Sequence, residues 1–101
     1  MDIKIYEKPV VTKFVTIDGE EFKLSKLYSC LEQIEEETLE DDHFGGYSLR
    51  DYELVYPEAM DKLIRMGLVK NYAGSRMSNL YCAKDKKGIR HLLNLLRKLD
   101  T

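Results

Sequence analysis

The stretch Met60–Asp85, MDKLIRMGLVKNYAGSRMSNLYCAKD, changes period in the middle, and that change limits the chain's possible folds. Met60, Leu63 and Ile64, with Met66 beside them, recur at helical spacing. After Gly67, the runs LVKNY and MSNLYCA instead alternate around Ala73-Gly74-Ser75-Arg76. A helix, a glycine stop and a hairpin must therefore follow one another within 25 or so residues. Gly67 is the natural stop, because glycine takes the left-handed conformation that ends a helix abruptly.

The flanking segments can be read in the same way. Ahead of this stretch, VVTKFVTIDGEEFKL places Asp18-Gly19 between alternating apolar runs, which predicts an N-terminal hairpin. Pro9 separates this hairpin from an initial extended piece that can serve as an edge strand or an arm. Leu24, Leu27, Leu31 and Ile34, followed by Thr38 or Leu39, predict a long first helix with Ser25 as its N-cap. Gly45-Gly46 breaks it, Tyr47-Ser48-Leu49 suits a short strand, and Arg50 to Leu54 suits one or two helical turns. Pro57 fits the first turn of the next helix. Residues 86–99, KKGIRHLLNLLRKL, form a terminal helix with a broad leucine stripe.

A chain of 101 residues with 44% apolar content forms one domain. At this size a binding surface is expected rather than a deep cofactor cavity. The first residues, MDIKIYEKPV, do not look like a secretory signal, and no apolar run approaches the length of a membrane helix. Cys30 and Cys82 form no repeated framework, so reduced thiols in a cytoplasmic setting are expected, with both cysteines as small core residues.

The net charge of −2 conceals an asymmetry. Residues 1–59 hold 6 Lys/Arg against 15 Asp/Glu, a net −9, while residues 60–101 hold 10 against 3, a net +7. On the first helix, Glu32, Glu35, Glu36, Glu37 and Glu40 lie outward. They form either a solvated face or an acidic patch for a basic partner. Tyr47, Tyr52, Tyr56, Tyr72 and Tyr81 gather around the short helix and the hairpin, where they either pack a small core or enrich a binding surface.

Ser48-Leu49-Arg50-Asp51, the run Met60 to Val69 and the hairpin Asn71 to Ala83 together resemble the winged-helix form of the helix-turn-helix superfamily. The likeness spans residues 24–99 and leaves residues 1–23 as an N-terminal addition. It implies an α+β winged helix-turn-helix domain with an N-terminal β-hairpin and a C-terminal helix. It also implies a role as a small DNA-binding transcriptional regulator that is not an enzyme and needs no cofactor. On this resemblance the reading helix would present Tyr56, Glu58, Asp61, Lys62 and Arg65. The wing and its flank would present Lys70, Asn71, Arg76, Ser78, Asn79, Lys84, Lys86, Lys87 and Arg90 to duplex DNA.

The helix start Tyr-Pro-Glu, with Asp61 after it, departs from a base-reading pattern, because carboxylates face phosphate repulsion. The alternative is a winged-helix protein-interaction module, with a phage or mobile-element inhibitor of host nucleic-acid machinery as one setting. Ile89, Leu92, Leu95, Leu96 and Leu99 either join two copies into a homodimer or close the domain on the first helix. Glycine-rich phosphate loops and paired metal-ligand motifs are absent from the sequence. Asp41-Asp42-His43 reads as a polar loop.

Overall fold

The computed structural model describes residues 1–9, 12–42, 46–73 and 79–100. The architecture is mixed α and β, built among these residues from two small antiparallel sheets and three α-helices. The residues expected to turn the hairpin, Gly74, Ser75 and Arg76, lie outside the described residues, as do His43, Gly45 and Ser78.

Strands β1 (Ile3–Lys8), β2 (Thr12–Ile17) and β3 (Glu20–Lys23) form the first sheet in the order β1-β2-β3. Asp18 and Gly19 take φ of 50° and 86°, as a type I′ turn needs, and Ile17 pairs with Glu20 across it. The expected hairpin is thus part of a three-stranded meander, with the initial extended piece as its edge strand. Alternation sends Val15, Ile17 and Phe22 into the core. On the other face Tyr6 stacks on Phe14 at 5.9 Å, and Lys8 lies 4.3 Å from the Phe14 ring centroid.

Helix α1 (Leu24–Glu37) follows β3 without a loop. Ser25 is therefore not its N-cap. Lys23 holds that position with no side-chain cap bond, and its backbone N–H donates to the Tyr56 hydroxyl at 3.3 Å. An immediate start carries the buried series from Phe22 through Leu24 to Leu27 directly into the core. At the far end, Thr38 rather than Leu39 occupies the buried position. Its hydroxyl donates to the Ile34 carbonyl at 2.6 Å and accepts from the Ala83 N–H at 3.0 Å. Thr38→Val keeps the shape but leaves the Ala83 N–H unsatisfied. It is expected to cost about 1–3 kcal/mol in urea unfolding, and a loss below about 0.5 kcal/mol would contradict this role.

Strand β4 (Leu49–Arg50) is followed by a single 3-10 turn, Asp51–Glu53, where a short helix was expected. Gln33 on α1 explains the interruption. Its side-chain amide donates to the Glu53 carbonyl at 2.6 Å and accepts from the Val55 N–H at 3.1 Å, taking groups that a continuing helix would have used. A second 3-10 turn, Pro57–Ala59, leads into α2 (Met60–Arg65), with Pro57 in its first turn.

Gly67 has φ of 77°. Its N–H bonds the Ile64 carbonyl at 3.0 Å, and the Leu68 N–H bonds the Leu63 carbonyl at 3.1 Å. This is the Schellman arrangement, and the buried pair Leu63 and Leu68 closes it. The chain then reverses into β5 (Val69–Ala73) and β6 (Asn79–Ala83), and the second sheet has the order β4-β6-β5.

Helix α3 (Lys86–Leu99) is capped by Asp85, whose carboxylate accepts from the Gly88 N–H at 2.9 Å. It packs against α1. Ile89, Leu92 and Leu96 are fully buried in the chain's own core, so they are not available as a dimer stripe. Leu95 is half-buried, and Leu99 alone of the five is exposed.

Candidate functional site

Helix α2 was expected to turn its cations outward, but the N-terminal sheet engages them. Lys62 Nζ donates to the Glu21 carbonyl at 2.6 Å and stands 5.2 Å from the Phe22 ring centroid. Arg65 holds Glu20 Oε1 through Nε at 3.2 Å and Nη2 at 2.9 Å. Tyr56 is half-buried. Its hydroxyl is used by Lys23, and Lys26 Nζ lies 5.5 Å from its ring centroid. Arg65 thus stays exposed but paired with Glu20, while Lys62 and Tyr56 are half-buried with their polar atoms engaged by the end of the first sheet. Glu58 and Asp61 remain exposed, which leaves negative charge at the start of the helix.

Charge pairing also links the hairpin and terminal helix to the acidic half of the chain. Lys70 Nζ is 3.6 Å from Asp41 and 4.8 Å from the Tyr72 ring centroid. Its proton is held above the usual lysine range first by the Tyr72 hydrogen bond, with Asp41 adding to it. Arg90 pairs with Glu35, and Arg97 with Glu32 at 2.5 Å. Glu40 accepts from the Lys86 backbone N–H at 2.8 Å at the start of α3, where the helix dipole favours an anion. Lys13 meets Asp100 at 2.8 Å, again joining the two halves.

The −9 and +7 halves thus fold onto one another, and much of the expected acidic face is spent internally. Glu36 and Glu37 stay exposed. On the basic side Lys84 and Lys87 are exposed, next to a hairpin where Asn71 reaches Asn79 at 3.5 Å.

Cys30 is fully buried, and desolvation pushes its thiol up to about 12. Burial also raises the Cys82 thiol. A thiol at about 12 carries almost no thiolate at pH 8, so native Cys30 should resist maleimide labelling and react only once denatured. Rapid native labelling would contradict the packing. Asp42 is committed to its own turn, accepting from the Tyr47 N–H at 2.5 Å and the Ser48 hydroxyl at 3.3 Å. Among the described residues, no cluster of three or more potential metal ligands forms, and no helix is long and apolar enough to cross a membrane.

The structure divides the tyrosines. Tyr81 is buried; desolvation is the main cause that raises its phenol, and the Asp51 charge and hydrogen bond add to it. Tyr56 and Tyr72 are half-buried, while Tyr47 and Tyr52 are exposed, as are Leu39 and Val55. The last two were not anticipated as surface. Leu39 continued the helical spacing of α1, and Val55 sat in a segment whose geometry depends on the distant Gln33. No protein-family model, no curated protein and no solved structure matches this chain.

Proposed function

We propose that the chain is a winged-helix domain that binds another protein. The order α1, β4, 3-10 turn, α2, β5, β6, α3 and the sheet order β4-β6-β5 support the winged-helix assignment. The binding assignment is carried by one observation: Lys62 and Arg65 are tied to β3, while Glu58 and Asp61 face solvent at the start of the same helix. A surface of that sign repels phosphate and suits a partner with cationic side chains. Two free, buried cysteines fit a reducing, cytoplasmic setting.

A second reading, a DNA-binding regulator, is favoured by Lys84 and Lys87, exposed beside the β5–β6 hairpin. Fluorescence anisotropy with a random duplex pool at low and moderate salt separates the two. The protein-binding reading expects no saturable binding at moderate salt and little change in Lys84→Glu/Lys87→Glu. Affinity that falls steeply with salt and is lost in the double variant would establish the DNA reading instead. Each phosphate contact adds about 0.9 to the slope of log affinity against log salt.

A further inference from the structure

We infer that the outer face of the first sheet binds single-stranded nucleic acid, with bases stacked on Tyr6 and Phe14 and phosphates held by Lys4, Lys8 and Lys23. The inference is separate from the protein-binding reading above. Helix α2 lies on the opposite side of this sheet, where Lys62 stands over the buried Phe22.

Strand register shows that these residues share one surface. Side chains two apart on a strand point the same way, and so do partners across a ladder. Ile3, Ile5, Val15, Ile17 and Phe22 belong to the core side, so the alternate set faces out. Tyr6 pairs with Phe14 and Phe14 with Lys23, which makes one continuous row across all three strands. Lys4 and Glu21 stand at the two ends of the row before it, joined through Thr16, and Lys8 begins the row after it. Tyr6 and Phe14 are half-buried, and the three lysines and Glu21 are exposed.

The charges on this face select the occupant. Three lysines stand against one carboxylate, and Glu21 is already shared, accepting from the Tyr6 hydroxyl and pairing with Lys8 at 3.6 Å. The side chains of Lys4 and Lys23 form no ion pair among the described residues. Asp2 and Asp18 make the turn end of the sheet acidic, whereas Lys8 and Lys23 lie toward the opposite end, on either side of Phe14.

Between the cations, the two rings are inclined by 21° with centroids 5.9 Å apart, so they offer neighbouring, nearly parallel aromatic surfaces. A partner that carries regularly spaced negative charge and flat rings together is a nucleic-acid strand with unpaired bases. Lys8 Nζ now stands 4.3 Å from the Phe14 centroid. That exposed contact and the pair with Glu21 cost little to break, and a base that takes the place over Phe14 frees the ammonium for the adjoining phosphate. A duplex keeps its bases stacked on one another and offers this face phosphate alone.

The test is fluorescence anisotropy of the full chain at moderate salt with three probes of equal length: an oligothymidine of about 12 nucleotides, an abasic strand and a duplex. The expected result is that the oligothymidine binds at least tenfold more tightly than either other probe. Phe14→Leu, which keeps an apolar side chain and removes the ring, should weaken it at least fivefold at an unchanged circular dichroism spectrum. Lys4→Glu/Lys23→Glu, on exposed side chains, should weaken it by as much and flatten its salt dependence. Amide shifts of the ¹⁵N-labelled chain should fall on β1, β2 and β3. Equal binding of the abasic strand, no saturable binding of the oligothymidine, or shifts confined to α3 or to β5 and β6 would each overturn the inference. None of these outcomes bears on the protein-binding reading, which salt-steep duplex binding alone would remove.

Discussion

Phe22→Ala is expected to cost about 3–5 kcal/mol, a large share of the stability of about 5–15 kcal/mol typical of a domain. Phe22 is 1% exposed, and it sits where the first sheet meets the rest of the chain. It pairs with Val15 across the sheet, precedes the buried Leu24 and Leu27, and carries the Lys62 ammonium over its ring. Truncation removes apolar contact and leaves a cavity that α2 cannot fill without breaking the Lys62 and Arg65 bonds to β3.

The variant should therefore shift the urea midpoint strongly, with a single transition seen by both far-ultraviolet circular dichroism and tyrosine fluorescence. A loss under about 1 kcal/mol would show that residues 1–23 are an appendage. So would hydrogen exchange that opens β1 to β3 while α1 and α3 stay protected.

This integration of the N-terminal sheet is what the sequence least disclosed. Local signals carried well. Asp18-Gly19 marked its turn because few dipeptides accept two positive φ values, and Gly67 marked the end of α2 for the same steric reason. Lys86–Leu99 was delimited by its leucine period, and the structure adds Asp85 as its cap.

The expectations that the structure changed depended on residues far away in sequence. Gln33 stops the helix at Asp51–Glu53 from a position 20 residues earlier, and Thr38 takes its partner from Ala83, 45 residues later. Glu20 and Glu21 reach α2 across more than 40 residues and engage Lys62 and Arg65, with Arg65 still exposed in its ion pair. Charge counted along a chain cannot reveal which charges meet. Here charges of the negative half and the positive half pair with one another, and the exposed charges outside those pairs include Glu36, Glu37, Glu58 and Asp61 as well as Lys84 and Lys87.

The leucine stripe of α3 gives the second large effect. Leu96→Ala should cost about 2–5 kcal/mol, because Leu96 is fully buried with Ile89 and Leu92 in the core that α1 and α3 share. Leu99→Ala, one turn on and exposed, should stay within about 0.5 kcal/mol. The two roles once open to this stripe differ in how they respond to dilution. A residue that closes the domain lowers the thermal midpoint by the same amount at any protein concentration. A residue that holds two copies together makes the midpoint rise with concentration in the parent and lose that slope in the variant. The expected outcome is a large, concentration-independent drop for Leu96→Ala. A parent midpoint that climbs over a hundredfold range of concentration, with a slope abolished by Leu99→Ala, would mean that the exposed end of α3 joins two copies.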